Sequence, residues 1–174
     1  CRENCKIGNI EKLKEIINNN PTIDIYYLLN RVYHIICEKG YINIIKWIYS
    51  INPNIDISYD NEYAFRFACF HNYIDIAKWL LETKPDIDVS IYDDCIIRHI
   101  TKLGYFELLK WLYSVRPCVD LSIQNNICFH NACVYNHFDI AKWLYEKIPD
   151  INVSINDDVI FRNVCGYGYL NVAK

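Results

Sequence analysis

The sequence has no methionine and only five glycines and five prolines in 174 residues, and each scarcity removes an option. So little glycine and proline excludes collagen-like and flexible low-complexity designs. Apolar runs such as Cys95-Ile96-Ile97 break within a few residues, far short of the roughly 18 to 20 that a bilayer-spanning helix needs. A membrane is not an expected partner. Basic excess is missing too: a net charge of -3 and a pI near 5.9 give little counterion-release drive toward phosphate, so nucleic acid is not expected either. The first residues, Cys1-Arg2-Glu3-Asn4-Cys5-Lys6, carry neither an initiator Met nor the apolar run of a signal peptide, and read as a cut end.

What is abundant is apolar. With 52% hydrophobic and 15% aromatic residues the chain has ample material for a folded core. Ile, Asn, Tyr, Lys and Asp dominate, the residues of AT-rich codons, which points to a source genome of that bias.

The five prolines set a period. They stand at Pro21, Pro53, Pro85, Pro117 and Pro149, each 32 residues after the last. Lysine keeps the same register at Lys14, Lys46, Lys78, Lys110, Lys142 and Lys174, followed in four copies by Trp47, Trp79, Trp111 and Trp143. A period of this size means stacked supersecondary units, each too small to bury its apolar face alone. Full repeats fall at 27–58, 59–90, 91–122 and 123–154, with partial ones at 1–26 and 155–174, so residues 1–174 read as one solenoid cut from a longer array.

Within a repeat, Ala64, Phe65 and Ala68 make a helical stripe, which predicts helix one near 62–71. Asn61, Asp93, Asn125 and Asp157 precede it and read as N-caps. Gly8, Gly40, Asn72, Gly104, Asn136 and Gly168 then mark a left-handed stop. Ile74, Ala77, Leu80 and Leu81 share one face of a second helix near 74–83, with Asp75, Lys78 and Glu82 opposite and Pro85 as the stop. Ile87-Asp88-Val89-Ser90 and its copies alternate apolar and polar and read as an extended connector or hairpin arm. The fold class is all-α: a right-handed solenoid of antiparallel helix pairs with short hairpin connectors.

Gly40-Tyr41-Ile42-Asn43-Ile44-Ile45-Lys46-Trp47 and Ile55-Asp56-Ile57-Ser58 resemble the Gly-His…Glu-Val-Val-Lys-Leu-Leu-Leu and Ala-Asp-Val-Asn segments of the ankyrin repeat family, over essentially the whole chain. The family's Thr-Pro-Leu-His is replaced by Ala64-Phe65-Arg66 and Ile160-Phe161-Arg162, and the period is one residue below the family's usual value of about 33, so a shortened hairpin tip is expected. The Lys-Trp-Leu-Tyr, Pro-Asp-Ile-Asp and Phe-Arg-x-Ala-Cys wording resembles the divergent ankyrin repeats of mimivirus-like giant DNA viruses of amoebae. The resemblance implies a binding scaffold whose partner sits on the concave face made by hairpin tips and helix one.

Candidate chemistry gives way to structure. Cys5, Cys37, Cys69, Cys133 and Cys165 share the small-residue position of helix one and read as core. Stacked helices stand roughly 10 Å apart, too far for disulfides, whose Cα atoms lie within about 7 Å. Without a Cys-x-x-Cys pair, no metal is expected. A reducing intracellular compartment fits, host cytoplasm or virion. His34, Arg66, Arg98, His130 and Arg162 fill the position of the family's structural histidine, which bonds between neighbouring repeats, and no nucleophile column stands beside them. The expectation is a non-enzyme without cofactor or small-molecule substrate. Glu11, Asn43, Asp75, Glu107, Asp139 and Asn171 stand three residues before the lysines and predict surface pairs. The tryptophans are expected to pack between repeats, and Asn152-Val153-Ser154 is a glycosylation triplet by coincidence.

The expected function is to hold a protein partner, as a scaffold or adaptor engaging a host component; the alternative is an architectural part of a viral particle. Positions free of the stacking pattern vary: Tyr27, Tyr59, Ile91, Ile123 and Ile155; Leu28, Asp60, Tyr92, Gln124 and Asn156; Arg31, Tyr63, Cys95, Ile127 and Val159; and Phe67, His99, Asn131 and Asn163. Tyr and Arg dominate interface hot spots. The candidate partner-binding residues are therefore Tyr59, Asp60, Tyr63, Arg66, Tyr92, Arg98, His99, Gln124 and Asn131. Alanine at Tyr59, Tyr63, Tyr92 or His99 is expected to weaken capture without altering thermal unfolding.

Overall fold

The computed structural model describes residues 37–148 together with 11, 12, 14, 15 and 19. The expectations for Gly8, Gly168, Cys5, Cys165, His34, Arg162, Pro21, Pro149, Asp157, Asn163, the glycosylation triplet and both partial repeats lie outside these residues. Seven helices are described: α1 Ile42–Ile51, α2 Tyr59–Phe70, α3 Ile74–Thr83, α4 Ile91–Leu103, α5 Phe106–Val115, α6 Ile123–Val134 and α7 Phe138–Lys147. No strand occurs among the described residues. The chain divides into two compact units between Ile87 and Asp88. In the first, α2 packs on α3; in the second, α4 packs on α5 and α6, and α6 on α7.

The second helix of each repeat falls where the pattern puts it, at 42–51, 74–83, 106–115 and 138–147. Its buried face holds Ile44, Ile45 and Ile48; Ile76, Ala77, Leu80 and Leu81; Leu108, Leu109 and Leu112; Ile140, Ala141 and Leu144. Each ends as a following proline requires. Asn52, Lys84 and Arg116 take φ of -133°, -133° and -136°, the extended region to which a pre-proline residue is confined.

The connectors are tighter than the alternating pattern suggested. Instead of extended arms they are turns, clipped by an aspartate. Asp56 Oδ1 accepts the Ser58 N–H at 3.0 Å, Asp88 Oδ1 accepts the Ser90 N–H at 2.9 Å and its hydroxyl at 2.7 Å, and Asp120 does the same for Ser122 at 2.8 and 2.6 Å. These are Asx turns. The apolar members on either side, Ile55 and Ile57, Ile87 and Val89, Val119 and Leu121, are buried.

Helix one begins differently from the prediction. Asn61 is not a cap: with Asp60 and Glu62 it forms a left-handed turn, at φ 55°, 54° and 58°. Tyr92, Asp94, Gln124 and Asn126 repeat it at φ 53°, 52°, 47° and 61°. One backbone bond closes each turn, from Glu62, Asp94 and Asn126 N–H to the carbonyls of Ser58, Ser90 and Ser122, all at 3.0 Å. Left-handed geometry costs a side-chain-bearing residue roughly 1–2 kcal/mol, and Asn and Asp tolerate it best. Asn61 reflects that tolerance rather than capping.

The other end of helix one agrees with the prediction. Gly40, Asn72, Gly104 and Asn136 are left-handed, at φ 71°, 57°, 76° and 64°. The next residue closes a Schellman motif: Tyr73 N–H to Ala68 O at 2.8 Å, Tyr105 to Ile100 at 2.9 Å, His137 to Ala132 at 2.8 Å. Glycine has a second reason at 40 and 104, because a Cβ there would stand 2.9 Å from the Tyr73 ring and 2.5 Å from the His137 ring.

The core columns alternate in size. Ala64, Phe65, Ala68 and Ala77 in one repeat match Cys128, Phe129, Ala132 and Ala141 two repeats on, whereas the repeat between uses Ile96, Ile97, Ile100 and Leu109; all are buried. Among the described repeats the choice of residue in these columns thus returns after 64 residues, twice the period of the prolines. Cys37, Cys69 and Cys133 are fully buried free thiols, as expected of core. Tryptophans bridge repeats as expected: Tyr49 meets Trp79, and Tyr113 meets Trp143, edge to face at 5.4 Å. Of the anticipated surface pairs, Lys14–Glu11 at 3.0 Å and Lys110–Glu107 at 2.6 Å form.

Candidate functional site

In the first unit the candidate residues gather around the head of α2. Tyr59 is 60% exposed and Asp60 beside it is exposed. Tyr63 is half-buried and donates its hydroxyl to Glu38 Oε1 at 2.8 Å. Burial first, then the bond and the charge of Glu38, push the Tyr63 phenol up to about 12, because a phenolate there would be desolvated and face a carboxylate. The Arg66 guanidinium lies 5.9 Å from the Tyr63 ring centroid. Its nitrogens point back to the turn: Nε donates to Asn61 O at 2.7 Å and Nη2 to Asp60 O at 3.1 Å.

From Tyr63 an aromatic ladder runs along α2. Tyr63 and Phe67 stack at 5.7 Å, Phe67 and His71 at 3.9 Å with planes 11° apart, and His71 and Tyr73 at 5.8 Å. The i, i+4 spacing of 63, 67 and 71 could have shown most of it in advance, since such residues share one helix face. Glu38 could not have been found so, because its link to Tyr63 spans 25 residues and follows no repeat column.

In the second unit Arg98 joins three of the candidates. Its Nη2 donates to Tyr92 O at 3.3 Å and its Nη1 to Gln124 Oε1 at 3.4 Å, while Asn131 Nδ2 donates to Arg98 O at 3.3 Å. Tyr92 is 54% exposed, Gln124 is exposed, and His99 is half-exposed on the same helix. Lys102, not among the candidates, lies 5.3 Å from the ring centroid of Tyr135, an exposed aromatic on α6. The two groups of candidates belong to separate compact units.

Within the His/Arg column, Arg98 takes the expected role of bonding between repeats, through Gln124 and Asn131. Arg66 bonds to two carbonyls of its own repeat, and Arg98 divides its bonds between its own turn and the next repeat's Gln124. His130 reaches neither, and its Nδ1 is buried without a hydrogen bond. The imidazole is too short to span the five or six residues back to the turn carbonyls.

Among the described residues no group of three His, Cys, Asp or Glu is placed to hold a metal ion, and no helix is long and apolar enough to cross a membrane. Two stretches match family models, residues 33–81 a model of ankyrin repeats in many copies and residues 128–153 one of a single ankyrin repeat. Both are ankyrin repeats, and the helix pairs are those of an all-α ankyrin solenoid. No curated protein sequence matches the chain.

Proposed function

We propose that the chain is a non-enzymatic scaffold that takes a protein partner on the face carrying the connecting turns and helix one of each repeat. Ankyrin repeats are generally protein-interaction modules. The observation that carries the choice of face is the exposure of Tyr59 and Tyr92, 60% and 54%, at the heads of α2 and α4. Tyr is a preferred interface anchor, and two exposed tyrosines stand at the heads of successive first helices, whereas the one comparably exposed tyrosine on a described second helix is Tyr145, 60% exposed. The AT-rich vocabulary and the Lys-Trp-Leu-Tyr wording support a giant-virus protein engaging a host component in the cytoplasm or the virion.

Geometry refines the test. Tyr59→Ala and Tyr92→Ala should each weaken partner capture by an amount of order 10-fold or more, as truncation of a hot spot does, with thermal unfolding unchanged. Tyr63→Ala is now expected to lower the unfolding temperature too, since it removes the Glu38 bond and the ladder's first ring. Lys78→Ala and Lys110→Ala should do neither. Affinity purification of each variant from the source cell, read by quantitative mass spectrometry against wild type, decides. Capture that survives both tyrosine changes but fails with the lysine changes transfers the site to the helix-two face.

A further inference from the structure

At the heads of α2, α4 and α6 the equivalent residues 60 and 62, 92 and 94, and 124 and 126 are left-handed, but the three heads are not held alike. At 60–62 a guanidinium donates to two of the turn's carbonyls, at 2.7 and 3.1 Å. At 92–94 the guanidinium makes one long bond to its own turn, 3.3 Å, and reaches the next repeat's Gln124 at 3.4 Å. At 124–126 the equivalent residue is His130, whose buried Nδ1 bonds nothing. The closing backbone bond is 3.0 Å in all three, so the repeats share the strained backbone and differ in what restrains it.

We propose that Arg66 and Arg98 are positioning residues, guanidinium clamps that hold the left-handed turn beneath Tyr59 and Tyr92, and that His130 leaves the turn at 124–126 unclamped. A left-handed run of residues bearing side chains is unfavourable by itself. Its outward carbonyls have no partner inside the turn, and a planar, permanently charged fork holds two of them at a fixed spacing, whereas an ammonium on a flexible stem imposes no such geometry. The clamp fixes the direction in which the exposed tyrosine leaves the scaffold, and so lowers the ordering cost of any contact made there. It leaves the turns of the second unit looser than the turn at 60–62, so that Tyr59 stands on a firmer base than Tyr92. The inference concerns the turn itself, and its test does not depend on a partner being found.

The amides of Glu62, Asp94 and Asn126 are matched reporters, since each closes its turn with the same bond. Hydrogen exchange of the 174-residue chain, followed by NMR and corrected for intrinsic rates, should rank their protection Glu62 above Asp94 above Asn126. Arg66→Gln should lower protection of the Glu62 amide by about tenfold, the order expected for a lost bond to a charged donor, and leave Asn126 unchanged. Arg66→Lys should restore only part of it. Asn61→Gly in the Arg66→Gln background should restore it to within about threefold, because glycine enters the left-handed region freely; loss of mere side-chain packing would not be rescued this way. His130→Arg supplies the missing clamp and should raise Asn126 protection by about tenfold without altering Glu62. Equal protection at the three amides, or a His130→Arg chain whose Asn126 exchanges as before, overturns the proposal. Should Arg66→Gln fail to fold, the His130→Arg comparison decides alone.

Discussion

Thr101 stands where Cys37, Cys69 and Cys133 stand in the other described repeats, fully buried like them. A hydroxyl is admitted to that column because it donates back to Ile97 O at 2.9 Å and Arg98 O at 3.0 Å, leaving no polar atom unmet. The thiols need no such provision, and burial pushes Cys128 and Cys133 up to about 12. A raised value keeps the thiol protonated until the pH approaches it, so at pH 8 only about one molecule in ten thousand carries the reactive thiolate at these sites. Cys118 is a free thiol exposed to solvent in the turn after Pro117. Iodoacetamide at pH 8 should therefore modify Cys118 in the folded chain within minutes and reach Cys128 and Cys133 only as the repeats open, as peptide mass spectrometry would show. Equal labelling of Cys133 and Cys118 would mean that the column is not core. The sequence made this column legible, because a small apolar residue at repeat spacing has one obvious use. It hid Arg66, whose residue type suits an interface as well as a backbone clamp.

Elements were legible in proportion to how singular their signals are. Proline before an extended residue and glycine in left-handed geometry each have one steric cause, so helix two and the end of helix one fall within a residue of their predicted bounds. Asn and Asp serve both as caps and as left-handed residues, and the start of helix one was misread for that reason. The stop glycines permit a sharp test. Gly104→Ala combines a side chain at φ 76° with a Cβ 2.5 Å from the His137 ring, whose Nε2 lies 3.0 Å from Lys102 O and so is not at liberty to swing away. It should destabilise by roughly 2–4 kcal/mol, summing left-handed strain and overpacking, as a lowered urea midpoint at unchanged slope. Asn136→Gly, at a left-handed position already occupied by a side chain, should shift stability by less than about 0.5 kcal/mol. A neutral Gly104→Ala would show that the ring is free to move.

For the molecule as a whole, the 32-residue framework was plain in the prolines, and the 64-residue alternation of the core was not, because exchanging Ile or Leu for Ala leaves an apolar pattern intact while changing its volume. The alternation predicts an inversion of the usual rule that longer arrays are more stable. Deleting 59–122 preserves the order of large and small repeats, whereas deleting 91–122 sets two repeats with Ala77-type and Ala141-type helices side by side. Thermal unfolding should show the second chain, though 32 residues longer, melting no higher than the first; a clearly higher midpoint would make the alternation incidental. The candidate site stayed least legible, since variation between copies marks freedom from stacking and does not say what uses the freedom. The left-handed turns carry one more consequence. An exposed, polar turn is where a protease ordinarily nicks a folded protein, yet a protease cleft takes its substrate as an extended strand, and residues 60–62 coil in the opposite sense with their carbonyls already bonded to Arg66. The segment most openly offered to a partner is thus poorly shaped for digestion, and the stretch at 124–126, where Arg98 reaches the Gln124 side chain and not a turn carbonyl, is where cutting should begin.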